Sequence, residues 1–254
     1  DRTRLFGNQA PTGGGIYSEA TYAWGGNLVI IATSVTTNTA SGSGGGVYVY
    51  VEVEGADHHL YVTNSTVNGN EANLHGGGIR VEGGHAYLAS TTIADNIADL
   101  DGNDTGSGGG ISISSGSYTS FMHTIIAGNH DTYVGYGLTY LPDCAGSLNS
   151  YGFNLIGIVQ LCIINNPDRD HIGTVAAPVD PLLGPLERDG YLTDYRPLLE
   201  GSLAVDGGAP SGCCDFSGAL LADDQRGEVR HWSTACDMGA YESPFTRWFI
   251  YLPL

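Results

Sequence analysis

No lysine occurs among the 254 residues; the nine basic side chains are all arginine and face 27 Asp and Glu, a formal charge of −18. A polyanion such as DNA, RNA or an anionic membrane meets net repulsion from such a chain, so nucleic-acid partners are excluded. No run approaches the roughly 20 apolar residues of a spanning helix, which excludes a helical membrane span. No basic segment followed by an apolar one opens the chain, so Asp1 reads as a mature or trimmed N-terminus. No segment carries a 3.6-residue apolar stripe, and Gly and Asn interrupt every candidate helix. Cys-x-x-Cys and Gly-x-Ser-x-Gly are both missing, which argues against a structural zinc knuckle and a serine-hydrolase elbow. Charged residues are only 14% while 41% are hydrophobic, so the chain folds and is not disordered.

Glycine is abundant: 39 residues, about twice the usual share of roughly 7%. Its placement is periodic. Gly-Gly-Gly stands at 13–15, 44–46, 76–78 and 108–110, spaced by 31, 32 and 32 residues. Each triplet opens a short alternating run, led by Ile16, Val47, Ile79 and Ile111. A second apolar run rich in Thr and Ser ends near Val35, Val67, Ile93 and Ile126. Each unit then closes on an asparagine, Asn38, Asn70, Asn96 or Asn129, with Asn8 in the equivalent place upstream. Short period-two runs rich in Val, Ile, Tyr and Thr are strands. Short strands repeated on a fixed period and stacked on their copies make an all-β solenoid, each coil about 4.8 Å above the last. Like residues then form ladders: Ile16, Val47, Ile79, Ile111 in one row, Val35, Val67, Ile93, Ile126 in another. The triplets suit tight corners with positive φ. The asparagines are expected to adopt the left-handed conformation at the next corner and to bond the turns above and below. The clean repeat covers 1–131; 132–200 is expected to add irregular coils, and 201–254 to fold over the end as a cap with a hydrophobic tail.

Gly-Gly-Gly-Ile-Tyr at 13–17, Asp143-Cys144, Gly152-Phe153-Asn154-Leu155-Ile156-Gly157 and Asp180-Pro181-Leu182-Leu183-Gly184 resemble secreted bacterial right-handed parallel β-helix proteins. The finish is similar to the choice-of-anchor Q domain, on Tyr195-Arg196-Pro197, Ala204-Val205-Asp206-Gly207-Gly208, Asp224-Gln225-Arg226-Gly227 and Cys236-Asp237-Met238-Gly239-Ala240-Tyr241-Glu242. The resemblance spans nearly the whole chain. It implies a right-handed β-helix, export and cell-surface or extracellular residence, and no particular reaction. It further implies a polar cluster of Asp224, Arg226, Asp237 and Glu242 in the cap, as a structural salt bridge or, less in keeping with the pattern, a catalytic acid pair. With export implied, disulfides are expected among Cys144, Cys162, Cys213, Cys214 and Cys236: Cys144 with Cys162, and Cys236 with either Cys213 or Cys214, one thiol being left over.

Asp99, Asp101, Asn103 and Asp104 put hard oxygen ligands at near-alternate positions of a six-residue expansion, and read either as a Ca²⁺ loop or as a solvated acidic turn. No cofactor is required by any other motif. Of the eight histidines (58, 59, 75, 85, 123, 130, 171 and 231), His58-His59 and His85 precede equivalent strands and are expected on neighbouring coils, as a transition-metal site or as surface polar residues. Asn64-Ser65-Thr66 and Asn103-Asp104-Thr105 fit the N-glycosylation pattern. Lyase chemistry on uronates needs a base, and Arg80 is the one arginine in the repeat body past residue 4. Hydrolysis needs paired carboxylates, for which Glu52, Glu54 and Glu82 alternate like outward positions. Leu5-Phe6-Gly7-Asn8 reads as the end of a repeat. Trp248, Phe249, Ile250, Tyr251 and Leu252 form an apolar, β-prone tail, expected either to join copies head to tail into a filament or to cover its own solenoid. The reading is an extracellular structural or adhesive protein with itself or a surface glycan as partner; the alternative is a polysaccharide-binding module or a pectate-lyase-like or glycoside-hydrolase-like enzyme.

Overall fold

The computed structural model describes residues 1–22, 25–52, 58–132, 142–230 and 235–246. Among the described residues there is no helix; parallel strands stack as a β-solenoid. Three sheets make its faces. The first holds Arg4–Phe6, Ser34–Thr36, Thr66–Asn68, Thr92–Ala94, Ile125–Ala127, Leu155–Ile156 and His171–Ile172. The second is narrower, running from Gln9–Ala10 through Thr39–Ala40, Glu71–Ala72 and Ile97–Ala98 to His130–Asp131. The third is a double ladder. Ile16–Ala20, Val47–Val51, Ile79–Glu82 and Ile111–Ile113 form one half, and Asn27–Ile31, His59–Thr63, His85–Ala89 and Tyr118–Met122 the other. The halves meet in Cys144–Ser150, which pairs with both Ile111–Ile113 and Tyr118–Met122. One long strand thus replaces two that a loop separates in every earlier coil.

The expected ladders are in register. Ile16, Val47, Ile79, Ile111 and Cys144 pair in sequence. Leu5, Val35, Val67, Ile93, Ile126 and Ile156 do the same on the first sheet. Most of these side chains are fully buried, so the interior is a stack of aliphatic layers.

The corners depart from expectation. None of Asn8, Asn38, Asn70, Asn96 and Asn129 has positive φ; that role falls to the residue before each, Gly7, Thr37, Gly69, Asp95 and Gly128. The reason is geometric: the left-handed residue turns the chain, and the next side chain then points inward where it can bond its copies. A second corner obeys the same rule. Ala32, Asn64, Ser90, His123 and Phe153 have positive φ, and Thr33, Ser65, Thr91, Thr124 and Asn154 follow them with inward hydroxyls and an amide. In the glycine triplets only the first residue has positive φ, at 60–71°. The second has none, yet a Cβ on Gly45 or Gly77 would run into the backbone of the adjacent coil.

Among the described residues, the C-terminal segment lies beside the solenoid and not over its end. Strands continue to His171–Ile172, and the chain beyond runs back along the outer face of the first sheet. Asp194 N–H donates to Ser34 Oγ, Thr66 Oγ1 to Gln225 Oε1, and Ala240 N–H to Thr92 Oγ1. Arg4 reaches Asp194 at 2.6 Å. The expected cap is therefore a lateral cover, and the expected 132–200 segment divides near residue 173 between coil and cover. The physical cause lies on the outer face itself. Ser34, Thr36, Thr66 and Thr92 offer hydroxyls at one end, and Ile125 and Leu155 offer apolar surface at the other. Leu198, Ala204, Val205 and Met238 bury that apolar end in a second core.

Candidate functional site

The Asn corner is a continuous hydrogen-bonded column. Asn8, Asn38, Asn70 and Asn96 each donate both the backbone N–H and Nδ2 to the Oδ1 of the next asparagine, at 2.8–3.1 Å. Asn129 makes the same pair of bonds to Asp143 Oδ1 (2.8 and 2.9 Å), and Ile158 N–H donates to Asp143 Oδ2 at 2.7 Å. A carboxylate, which accepts on both oxygens, thus ends a column of amides. Burial pushes the Asp143 carboxyl up to about 7, against the N–H donors of Asn129 and Ile158, which hold it down. Its sign follows. Between the unfolded value of 3.8 and about 7 the native state holds the extra proton, so this contribution to stability is full below the unfolded value and is lost as pH rises through 7. From pH 8 to 6 the increment is about 1 kcal/mol. Urea midpoints are expected to rise more over that interval in the wild type than in Asp143→Asn; equal rises in the two proteins would contradict the assignment.

The four residues expected to cluster do so. Arg226 chelates Asp224 (2.7–2.9 Å), whose Oδ2 also accepts Glu242 N–H. Asp237 accepts from Asp206 N–H and Ser243 N–H; burial, and then the charge of Glu242, push its carboxyl up to about 7. Arg230 at the centre went unnoticed in the sequence. Its guanidinium is fully buried and donates to Glu242 Oε2, Asn64 Oδ1, Asp237 O and Gly239 O at 2.8–3.2 Å. The carboxylates are engaged by arginines and backbone N–H groups, and through Arg230 and Asn64 the cluster ties the cover to the solenoid. Asn64, buried here and donating to Asp223 O (2.8 Å), offers no free amide for a glycan.

Both expected disulfides are present: Cys144–Cys162, lying between adjacent coils, and Cys213–Cys236 in the cover; Cys214 is the free thiol. Burial, and then Asp215, raise the Cys214 thiol, so it is a poor nucleophile. Cys214→Ser is expected to change stability by less than about 0.5 kcal/mol; a urea midpoint shifted beyond that would show that the thiol packs tightly.

The acidic run closes on itself. Asp99 is buried, and its carboxylate accepts the N–H groups of Asp104 and Thr105; Asn103 Nδ2 donates to Asp101 Oδ2, and Asn103 Oδ1 accepts from Thr105. Among the described residues, the one group of three or more His, Cys, Asp or Glu that converges is His123 with Cys213 and Cys236. Asp99, Asp101 and Asp104 are not in that group, and hydrogen bonds within the run fold it into a turn.

His59 and His85 are in register on adjacent coils, ring centroids 5.2 Å apart. His58 instead points away from them, buried, with Ser18 Oγ at 3.0 Å and Gly26 N–H donating to its Nδ1. The histidine pair belongs to an outward aromatic ladder. Tyr61 stacks on Tyr87 (5.0 Å), His85 on Tyr118 (5.2 Å), and Phe216, carried in by the cover, meets both Tyr87 and Tyr151 edge-on. Within the ladder ring faces are spent on each other; Tyr118 and Tyr151, 57% and 65% exposed, present free surface. Glu82 lies in the other half of this sheet, held by Arg80 and Tyr48, and Glu52 directly follows the strand Val47–Val51 there. Glu54, His231 and the tail Trp248–Leu252 lie outside the described residues.

Compared with family models, curated proteins and solved structures, the chain finds no match. The class of protein that the coordinates define is the β-solenoid with a disulfide-bonded lateral cover.

Proposed function

We propose that this is an extracellular structural and adhesive protein, a stiff rod that holds neutral glycan against the outer face of its third sheet. The observation that carries the reading is the set of aromatic rings along that face, with Tyr118 stacked on His85 and Tyr151 edge-on to Phe216, both tyrosines exposed. These rings are fixed by neighbours, so little side-chain freedom is lost on contact. Sugar rings offer C–H faces for such rings and hydroxyls for the tyrosine tips. A net charge of −18 disfavours anionic polymers and leaves neutral ones. Two disulfides suit an oxidising compartment. Binding to a panel of neutral and acidic polysaccharides, read by affinity electrophoresis, is expected to show retardation by neutral chains that Tyr118→Ala with Tyr151→Ala removes. Retardation unchanged in that double variant, or absent with every glycan, would overturn the reading.

Self-association along the rod axis is a second reading. Leu161 and Ile163, 44% and 67% exposed, lie on Leu161–Asn165, which pairs on one side only among the described residues. Electron microscopy of protein from its native source is expected to show filaments; single rods of one-subunit length would sink it.

A further inference from the structure

The corner where the solenoid meets its cover holds an anomaly. His123 follows the strand Tyr118–Met122 with φ of 49°, a left-handed conformation that an L side chain adopts at a cost. Its imidazole is buried (3% exposed) and stacked on Phe153 at 5.7 Å. Neither ring nitrogen makes a well-formed hydrogen bond; the main chain of Cys214 lies against the ring as its one polar neighbour of that kind among the described residues. A buried polar group left short of partners is costly. The imidazole faces sulfur: one ring nitrogen and the Sγ atoms of Cys213 and Cys236 all lie within 4.8 Å of one another. In a tetrahedral site with metal–sulfur and metal–nitrogen bonds of about 2.3 and 2.0 Å, ligand atoms stand roughly 3.5–3.8 Å apart. The two sulfurs are now bonded to each other at 1.99 Å with the imidazole beside them, so breaking that bond lets them part toward such spacing, on two segments of the cover and one corner of the solenoid.

We propose that reduction of the Cys213–Cys236 disulfide turns this corner into a site for a thiophilic divalent ion of the Zn²⁺ class, with Cys213, Cys236 and His123 as ligands. A phosphine supplies the electrons: phosphorus takes the oxygen of one water, becoming the phosphine oxide, and the two protons of that water end on the two sulfurs. The ion then displaces both thiol protons, while the neutral imidazole gives its lone pair and loses none. The metal replaces the disulfide as the link between the 213 and 236 segments, so the cover stays closed in either state. The half-exposed Cys214 borders the site and is not one of the three ligands; its Sγ lies 3.9 Å from Met122 Sδ.

The test is a Co²⁺ titration of the full chain, oxidised and phosphine-reduced, read by the visible bands of tetrahedral cobalt and by their loss on adding Zn²⁺. One equivalent is expected in the reduced wild type and in reduced Cys214→Ser, and none in the oxidised protein. His123→Ala is expected to weaken binding at least about tenfold, as loss of even an outer-shell partner does. Equal affinity in His123→Ala, or no bands in the reduced wild type, would overturn the proposal. Far-UV circular dichroism follows folding. If reduction alone opens the protein, Zn²⁺ present during reduction is expected to preserve the β signal and raise the midpoint of melting, and its failure to do so would equally overturn the site.

Discussion

Replacing Arg230 by alanine is expected to lower the unfolding free energy by about 3–5 kcal/mol, the range for stripping one partner from a buried ion pair. The guanidinium is fully buried, and its partners come from three places: Asn64 at a solenoid corner, Glu242 near the end of the cover, and the carbonyls of Asp237 and Gly239. Without it Glu242 keeps the N–H of Asp237 (3.0 Å) but loses its buried counter-charge. Arg230→Lys should recover only part of the loss, since an ammonium cannot reproduce the planar fork that serves four acceptors. Pairing Arg230→Met with Glu242→Gln should recover more, because it removes both charges together. Arg80→Ala is the control: its ion pair with Glu82 (3.2 Å) is partly solvent-exposed and worth at most about 1 kcal/mol. Urea melts of the set decide the matter; a cost for Arg230→Ala no larger than that for Arg80→Ala would show that the cover is held by its apolar core alone.

The second large effect belongs to the asparagine column. Asn70→Ala removes the Oδ1 that accepts Asn38 N–H and Nδ2, and the Nδ2 that donates to Val35 O (2.8 Å) and Asn96 Oδ1. Asn38 N–H and Val35 C=O are left without these partners in a dry interior. At about 1–3 kcal/mol for each unsatisfied group, the expected loss is about 2–5 kcal/mol. Asn70→Asp keeps the shape and the accepting oxygen but turns a second oxygen toward Val35 O, so it should be destabilised too, and more at pH 8 than at pH 5. Hydrogen exchange at Asn38 N–H offers a local readout: faster exchange there in Asn70→Ala, with distant coils unchanged, is the expected pattern. A midpoint within about 0.5 kcal/mol of wild type would show that water fills the gap and that the column contributes little.

Repetition made much of this legible. A row such as Val35, Val67, Ile93, Ile126 needs only a constant period and inward-facing strands, and both are written in the chain. The spacings even encode the loop trade: Asn70 to Asn96 is 26 residues, because Gly83-Gly84 replaces a longer loop, while the triplets stay 32 apart because the Asp99–Asp104 turn restores the count. Disulfide pairing was half legible. Cys144 with Cys162 came through, whereas the choice between Cys213 and Cys214 depended on which side chain faced the interior of the cover. In the acidic run, the fold shows what the sequence did not: the Asp99 and Asp101 carboxylates accept from the N–H groups of Asp104 and Thr105 and from Asn103 Nδ2 when the loop closes.

What the sequence determined by itself is the periodic part, since a solenoid coil touches mainly its copies and local pattern is nearly the whole of its energetics. Corner conformation escaped it because two adjacent residues share one corner, and only the fold shows which turns the chain and which bonds inward. The direction of the cover, the burial of Arg230, the seat of Phe216 on Tyr87 and Tyr151, and the gathering of His123 with Cys213 and Cys236 were decided by the tertiary structure alone. Each joins residues roughly 65 to 165 positions apart with no period between them. What brings them together is the unsatisfied outer face of the first sheet, whose hydroxyls and apolar side chains find partners only when the chain doubles back along it.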